Sequence, residues 1–145
     1  GEKYLLYIDY ANQEAEHIYN LETKEDTIIG YYGTLFNCDG KTYLNARKRL
    51  DDGALSTDYT LFEIEENGAV KEIGNVANFG TVIKYISNGN AYIYNQQEGT
   101  SKINLENNKK DSAESVNGCR YFLGGYGYKI DASNVEDVNV EKIEL

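Results

Sequence analysis

Proline, methionine and tryptophan are absent from this chain of 145 residues, and histidine occurs once. A single histidine excludes a histidine-rich metal site, and any Ser-His-Asp triad would depend on His17 alone. We expect His17, which lies beside polar residues, at the surface. The sequence has neither a P-loop nor a Gly-x-Gly-x-x-Gly motif that opens a helix, so no cofactor is expected.

Long apolar segments are also missing, and cysteine is scarce. No apolar run approaches the roughly 20 residues that span a bilayer, so membrane insertion is not expected. Cys38 and Cys119 permit at most one disulfide. Because they fall at different places in the repeats described below, we favour free, partly buried thiols over a bridge.

Positive charge is in deficit. The chain has 24 Asp and Glu against 14 Lys and Arg, a net charge of −10, and 41% hydrophobic residues. This balance is typical of a globular domain, and solubility is its simplest explanation. An acidic surface repels phosphate backbones, so nucleic acid is not an expected partner.

One short motif returns along the chain. Cys38-Asp39-Gly40-Lys41-Thr42-Tyr43 has counterparts at Asn88–Tyr92 and Asn117–Tyr121, and Gly1–Tyr4 retains its end. The shared element is Gly-x-x-Tyr. Asp-Gly or Asn-Gly favours the two positive φ values of a type I′ turn, and tyrosine favours the return strand.

A second motif follows each copy of the first. It reads apolar, polar, apolar, acidic and occurs at Tyr19–Glu22, Phe62–Glu65, Ile103–Glu106 and Tyr128–Asp131. Alternation with period two dominates the rest of the chain, which predicts short antiparallel strands. The spacing is loose but typical of four-stranded repeats. We therefore predict one all-β domain over 1–145, with repeats at approximately 1–30, 31–75, 76–110 and 111–145.

The order of strand, Asp/Asn-Gly, strand and aromatic-x-aliphatic-acidic strand resembles the blade repeat of TolB-type and related bacterial cell-surface β-propellers. The resemblance implies a propeller-like ring of about four blades, or part of a larger ring, and an extracytoplasmic location in a bacterium. A β-sandwich is the alternative fold. The tail around Val138–Ile143 alternates as a strand, and we expect it to complete the first blade and close the ring.

Strand alternation sorts the loops into two ends, and the longer loops share one of them. Long loops on a rigid scaffold commonly carry function. The predicted loops include Gly30–Gly33, Arg47–Asp58, Asn75–Gly80 and Gly124-Gly125. The candidate ligand-binding or partner-binding residues in this set are Tyr31, Tyr32, Arg47, Arg49, Asp51, Asp52, Asp58, Asn78, Phe79 and Tyr126.

Each candidate also has a structural explanation. The tyrosines offer apolar faces with polar tips suited to interfaces, but could equally pack between sheets. The basic cluster Arg47-Lys48-Arg49 could bind a carboxylate bidentately or pair with Asp51 or Asp52 at a strand end. The spacing of Asp51, Asp52 and Asp58 fits no recognised calcium loop, so no metal is assigned.

These observations favour a non-catalytic binding module of propeller type that recognises a protein or a small extracellular ligand through the loop-bearing end. It would act as a monomer or as part of a larger chain. A hydrolase of glycosides or esters that uses loop carboxylates is the alternative enzyme class. A structural segment of a larger propeller protein is the third hypothesis.

Overall fold

The structure is a computed structural model that describes residues 3–11, 15–78, 80–134 and 137–145. These residues form fourteen strands and a three-residue 3₁₀ helix, Glu114–Val116. The strands form four small antiparallel sheets of three or four strands, which confirms the all-β prediction. Within the described ranges, no helix has the length and apolar character to cross a membrane.

The chain divides into two compact units, Gly1–Phe79 and Gly80–Leu145. The first unit holds two sheets, in which each strand pairs with the next along the chain. The first sheet comprises β1 (Tyr4–Asp9), β2 (Ala15–Asn20) and β3 (Asp26–Ile28). The second sheet comprises β4 (Tyr31–Cys38), β5 (Lys41–Arg49), β6 (Leu55–Ile64) and β7 (Val70–Gly74).

The second unit also holds two sheets of consecutively paired strands. The third sheet comprises β8 (Thr81–Ser87), β9 (Asn90–Asn95), β10 (Gly99–Asn104) and β11 (Lys110–Ser112). The fourth sheet comprises β12 (Tyr121–Leu123), β13 (Tyr126–Asp131) and β14 (Asn139–Glu144). A single repeat domain and the propeller arrangement stay predictions.

Two of the repeated glycine motifs form the predicted hairpins. Asp39 and Gly40 have φ values of 48° and 78°, and Asn88 and Gly89 have 49° and 73°. Positive φ at both central residues is the signature of a type I′ turn, whose twist matches the flanking strands. The Asp-Gly and Asn-Gly dipeptides therefore set the β4–β5 and β8–β9 connections.

The third copy of the motif behaves differently. Asn117 has φ −59° and ψ 134°, and Gly118 has φ 81°, which are the angles of a type II turn. Cys119 N donates to Val116 O across this turn, at 3.1 Å. The turn follows the 3₁₀ helix rather than a strand, so the prediction of a strand hairpin here is wrong. Asn117 Oδ1 instead accepts a hydrogen bond from Thr100 N at 2.8 Å.

Several predicted loops are strands. Tyr31 to Gly33 belong to β4, β5 continues to Arg49, and β6 begins at Leu55, so only residues 50–54 connect β5 and β6. Gly124 and Gly125, with φ 59° and 79°, form a two-residue hairpin between β12 and β13. The long backbone ladder of β5 and β6 explains the difference, because its hydrogen bonds extend through polar residues that sequence alone assigns to a loop.

The tail strand belongs to the fourth sheet. β14 pairs with β13 along its whole length, from Tyr126 opposite Glu144 to Asp131 opposite Asn139, and forms the edge of the fourth sheet. The expectation that the tail also completes the first sheet and closes a ring stays a prediction. The connection from Asp131 to Asn139 is short enough for the tail to fold back as a local hairpin partner.

The two sequence motifs do not keep one register. Tyr4 lies opposite Asn20 and Tyr43 opposite Glu63, which are equivalent pairings in the first and second sheets. Tyr92 lies opposite Lys102 and Tyr121 opposite Tyr128 in the third and fourth sheets, and these pairings are shifted. The first and second sheets are therefore the closest match in strand pairing.

The first and second sheets share a hydrophobic core. Ile18 of β2 packs with residues of β5 and β6, and Tyr4 and Leu6 of β1 pack against the same cluster. The buried members are Ile18, Leu44, Ala46, Phe62 and Ile64. Gly33 lies opposite Ala46, where an added Cβ would stand 2.5 Å from the Ala46 Cβ. Only glycine fits at this position of β4.

The repeated tyrosines occupy different environments. Tyr43 and Tyr92 are buried, whereas Tyr121 is 60% exposed. Burial raises the pKa of Tyr43 to about 12, with smaller contributions from Glu63, Cys38 and Asp39. The native state therefore keeps a proton that the unfolded chain loses near pH 10.

We expect the free energy of unfolding to fall as pH rises from about 10 to about 12. Over this range the unfolded chain loses the Tyr43 proton while the folded chain keeps it, so rising pH favours the unfolded chain. Tyr43→Phe should reduce this fall, as measured by urea unfolding at several pH values. Tyr121→Phe is the exposed control and should leave the slope unchanged. Equal slopes for Tyr43→Phe and the parent chain would contradict the prediction.

Candidate functional site

A groove runs along the first unit between β1 and β4. One cavity of the groove, called here the tyrosine cleft, has a volume of about 340 Å³. Its lining residues are Leu6, Tyr7, Ile8, Tyr10, Glu16, Tyr32 and Gly33. A second cavity of about 250 Å³ continues past Leu6 and is lined by Lys3, Tyr4, Leu5, Leu6, Leu35, Asn37 and Thr42. We call the two together the β1–β4 groove.

Two exposed aromatic side chains border the tyrosine cleft. Tyr10 directly follows β1 and is 76% exposed, and Tyr32 near the start of β4 is 45% exposed. Tyr32 is one of the candidate residues that the sequence indicated, whereas Tyr10 is not. Tyrosine offers a large apolar face with a hydroxyl tip at low entropic cost, as protein interfaces require. The cleft therefore has the chemistry of a recognition surface.

A buried ion pair lies beside the cleft. Glu16 of β2 is only 1% exposed, and its two carboxylate oxygens accept from Arg49 of β5. The Nη2–Oε1 bond is the shorter of the two, and the Nε–Oε2 distance is 3.4 Å. Arg49 Nη1 also donates to Gly53 O at 3.2 Å. Bidentate pairing satisfies the charge of Glu16 and ties the first sheet to the second.

The basic cluster that contains Arg49 was expected either to bind a carboxylate bidentately or to pair with Asp51 or Asp52. In the structure Arg49 binds the carboxylate of Glu16, a residue that the sequence analysis did not single out. Glu16 faces the second sheet because it shares the side-chain direction of Ile18, two residues along the same strand. Only the strand register shows this. In the sequence, Glu16 simply precedes His17 and Ile18, and nothing in that pattern indicates a buried partner for Arg49.

Arg47 forms hydrogen bonds to the backbone of β6. Its Nε donates to Ser56 O and its Nη2 to Leu55 O, the latter at 3.3 Å. Its guanidinium carbon lies 5.9 Å from the centre of the Tyr59 ring. Arg47 thus supports the irregular start of the β5–β6 ladder, where the register shifts.

Tyr31 belongs to the core rather than to the groove. Its ring centre lies 4.4 Å from that of Phe62, and it packs against the buried cluster of the two sheets. The neighbouring Tyr32 points to the opposite face because side chains alternate along β4. Tyr31 therefore packs in the core, whereas Tyr32 is exposed.

The remaining predicted residues lie at separate places. Asp51 and Asp52 are exposed in the β5–β6 turn, where Asp52 Oδ1 accepts from Ala54 N at 2.9 Å. Asp58 is exposed on β6, and Asn78 is exposed between β7 and β8. Tyr126 belongs to the second unit, with Lys142 Nζ 3.6 Å from its ring centre. Phe79 lies outside the described residues.

Tyr7, which lines the cleft, also belongs to a hydrogen-bonded cluster within the first sheet that the sequence did not reveal. Tyr7 Oη donates to Asp26 Oδ2 at 2.9 Å, and His17 Nδ1 lies 3.0 Å from the same oxygen. The Tyr7 and His17 rings stack, with centres 4.9 Å apart. The hydrogen bond to Asp26 is the main cause that raises the pKa of the Tyr7 hydroxyl, and burial is the next largest.

His17 is 7% exposed, so the expectation of a surface histidine is wrong. Its Nε2 has no hydrogen-bond partner in the described part of the chain. The β1–β2 register explains the burial, because it sets His17 directly opposite Tyr7. The sequence shows the polar neighbours of His17 but not this cross-strand partner.

Cys38 and Cys119 form no disulfide, as predicted, and both side chains are buried rather than partly buried. Burial raises the pKa of Cys119, and the nearby Lys129 partly opposes that shift. A raised pKa keeps the thiol protonated and less nucleophilic. Among residues 3–11, 15–78, 80–134 and 137–145, no group of three or more His, Cys, Asp or Glu side chains is arranged to hold a metal ion.

Removing one member of the buried ion pair should destabilise the chain. We expect Glu16→Gln to lower the free energy of unfolding by roughly 2 kcal/mol or more, because Arg49 loses its charged partner at a largely buried site. Urea unfolding measures the change. Glu98→Gln, which removes the exposed partner of Lys110, is the control and should cost less than about 1 kcal/mol. Equal effects would contradict a structural role for the Glu16–Arg49 pair.

Comparison of the chain with protein-family models, with curated proteins and with solved structures finds no match.

Proposed function

We propose that this chain is a non-catalytic binding module that recognises a protein or peptide through the tyrosine cleft. The observation that carries the proposal is the pairing of exposed Tyr10 and Tyr32 around a cavity of about 340 Å³. Exposed aromatic side chains at a concave surface are the usual anchors of protein recognition. Tyr32 is also one of the candidate residues that the sequence analysis named.

The polar groups of the cleft support recognition rather than turnover. The Glu16 carboxylate is bound to Arg49, and the Tyr7 hydroxyl is bound to Asp26. A general acid or base must reach its substrate with a proton to exchange, whereas the Glu16 carboxylate is already bound to Arg49 of the second sheet and the Tyr7 hydroxyl to Asp26 of its own sheet. A rigid, hydrogen-bonded wall suits a binding site because little entropy is lost on association.

We further propose that the four sheets are the blades of a propeller-like ring that acts outside a bacterial cytoplasm. The order of the two sequence motifs and the resemblance to cell-surface propellers support this arrangement. Small-angle scattering should then give a radius of gyration of about 15 Å for a compact chain of 145 residues, and heating should give one cooperative transition. Two separate transitions with a clearly larger radius would contradict a single ring.

Selection from a random peptide display library on the whole chain tests the binding function. We expect enriched peptides whose affinity, measured by calorimetry, falls about tenfold or more in Tyr32→Ala and in Tyr10→Ala. The melting temperature should change little, because both side chains are exposed.

Tyr121→Ala is the matched control, because Tyr121 is similarly exposed but belongs to the second unit. Its affinity for the selected peptides should equal that of the parent chain. If no peptide is enriched, or if all three substitutions weaken binding equally, the tyrosine cleft is not the recognition site.

A further inference from the structure

Three asparagines of this chain directly precede a glycine, namely Asn67, Asn88 and Asn117. In such a dipeptide the backbone nitrogen of the glycine can attack the side-chain carbonyl carbon of the asparagine, because glycine has no Cβ to shield that nitrogen. The attack requires both groups to move toward each other, so hydrogen bonds that hold either group slow it. The structure distinguishes the three dipeptides by this criterion.

The Asn67-Gly68 dipeptide, which lies between β6 and β7, is held at both reacting groups. Gly68 N donates to Glu65 O at 2.8 Å. Asn67 Oδ1 accepts from Ala69 N at 2.9 Å. Both hydrogen bonds must break before the nitrogen can reach the side chain, so this dipeptide is protected.

Asn117 is held through its side chain. Its Oδ1 accepts from Thr100 N at 2.8 Å. Its carboxamide also lies against Gly99, where an added Cβ would stand 3.2 Å from Asn117 Nδ2. The carboxamide thus joins the end of the 3₁₀ helix to β10, and it cannot turn toward Gly118 N without losing this contact.

The Asn88-Gly89 dipeptide has neither form of protection. Both residues are exposed at the tip of the β8–β9 hairpin, and nothing lies within 4 Å of the position that a Cβ on Gly89 would occupy. Among the residues that the structure describes, neither the Asn88 carboxamide nor Gly89 N has a hydrogen-bond partner. Both reacting groups are therefore accessible and unrestrained.

A neighbouring side chain favours the attack at this position. Asn90 Nδ2 donates to Asn88 O at 3.0 Å. The attacking form of Gly89 N is deprotonated, and peptide resonance spreads its negative charge onto that carbonyl oxygen. A hydrogen bond to the charged form stabilises it. In the described ranges, the backbone oxygens of Asn67 and Asn117 accept no such bond.

We propose that Asn88 is a site of spontaneous deamidation, an inference that goes beyond the proposed binding function and does not depend on it. Gly89 N attacks Asn88 Cγ, a C–N bond forms, and the side-chain nitrogen leaves as ammonia with the proton that Gly89 N has lost. Water then opens the resulting succinimide ring at either carbonyl carbon. Opening at Cγ gives aspartate, and opening at the backbone carbonyl carbon gives isoaspartate.

The two products affect the hairpin differently. Asp39-Gly40 already forms the same type I′ turn, so aspartate at position 88 is accommodated. Isoaspartate adds one carbon atom to the backbone of a two-residue turn, whose length sets the pairing of Ser87 with Asn90. We expect the hydrogen bond from Leu105 N to Gly89 O, at 2.8 Å, to be lost in this product.

Ageing of the whole chain at mildly alkaline pH, followed by tryptic digestion and mass spectrometry, tests the proposal. The three dipeptides fall in separate tryptic peptides, 50–71, 85–102 and 111–120. We expect Asn88 to deamidate about tenfold faster than Asn67 or Asn117, because hydrogen bonds must break first at the other two positions. Fragmentation of the peptide should locate isoaspartate at position 88.

Three controls make the measurement specific. In the chain unfolded by guanidinium chloride, the three dipeptides should deamidate at similar rates, because the native hydrogen bonds are gone. Asn88→Asp should remove the mass gain of peptide 85–102. Asn90→Ala should slow deamidation of Asn88 several-fold with an unchanged circular dichroism spectrum. In the isoaspartyl product, amide hydrogen exchange at Leu105 should be faster.

Equal rates at the three native dipeptides, a faster rate at Asn67 or Asn117, or an unchanged peptide 85–102 would overturn the proposal. A mass gain at Asn88 without isoaspartate would indicate direct hydrolysis of the side chain and would overturn the succinimide route. An unchanged rate in Asn90→Ala would contradict the part assigned to Asn90. None of these outcomes bears on the tyrosine cleft, so the binding function stands or falls separately.

Discussion

Sheets of three or four short strands cannot stand alone, because one face must be covered by another apolar surface. In the first unit this constraint is met by Ile18 of the first sheet and Leu44, Ala46, Phe62 and Ile64 of the second. Tyr4 adds a hydrogen bond from its hydroxyl to Glu65 O at 2.9 Å. The packing leaves β1 beside β4, and the groove is a consequence of that placement.

The groove combines features that are costly for a purely structural surface. Exposed Tyr10 and Tyr32 border it, while its charged groups are neutralised within the chain by the Glu16–Arg49 pair. Replacing a buried ion pair by apolar residues is often neutral or stabilising, so such a pair is weak evidence of stability in itself. Its effect here is to tie β2 of the first sheet to β5 of the second beside the groove.

The sequence was most informative where local backbone chemistry decides the structure. Asp39-Gly40 and Asn88-Gly89 form the predicted turns because their φ values are set by the dipeptide itself. Asn117-Gly118 is the same dipeptide as Asn88-Gly89 but follows a 3₁₀ helix, and there the preceding backbone imposes a different turn. For the candidate site, Tyr32 was identified from its position near glycines, whereas Glu16 and Tyr7 were missed because only strand pairing brings them to the cleft.

The sequence by itself determined the all-β character of this protein, its acidic surface and the positions of its tightest hairpins, since period-two alternation and glycine-containing dipeptides act over a few residues. The tertiary structure decided which strand ends a sheet, which tyrosine is buried and which carboxylate meets Arg49. These outcomes depend on register and on sheet packing, which join residues far apart in the chain. A shift of one residue in register would turn Glu16 and Tyr32 to the opposite faces of their sheets.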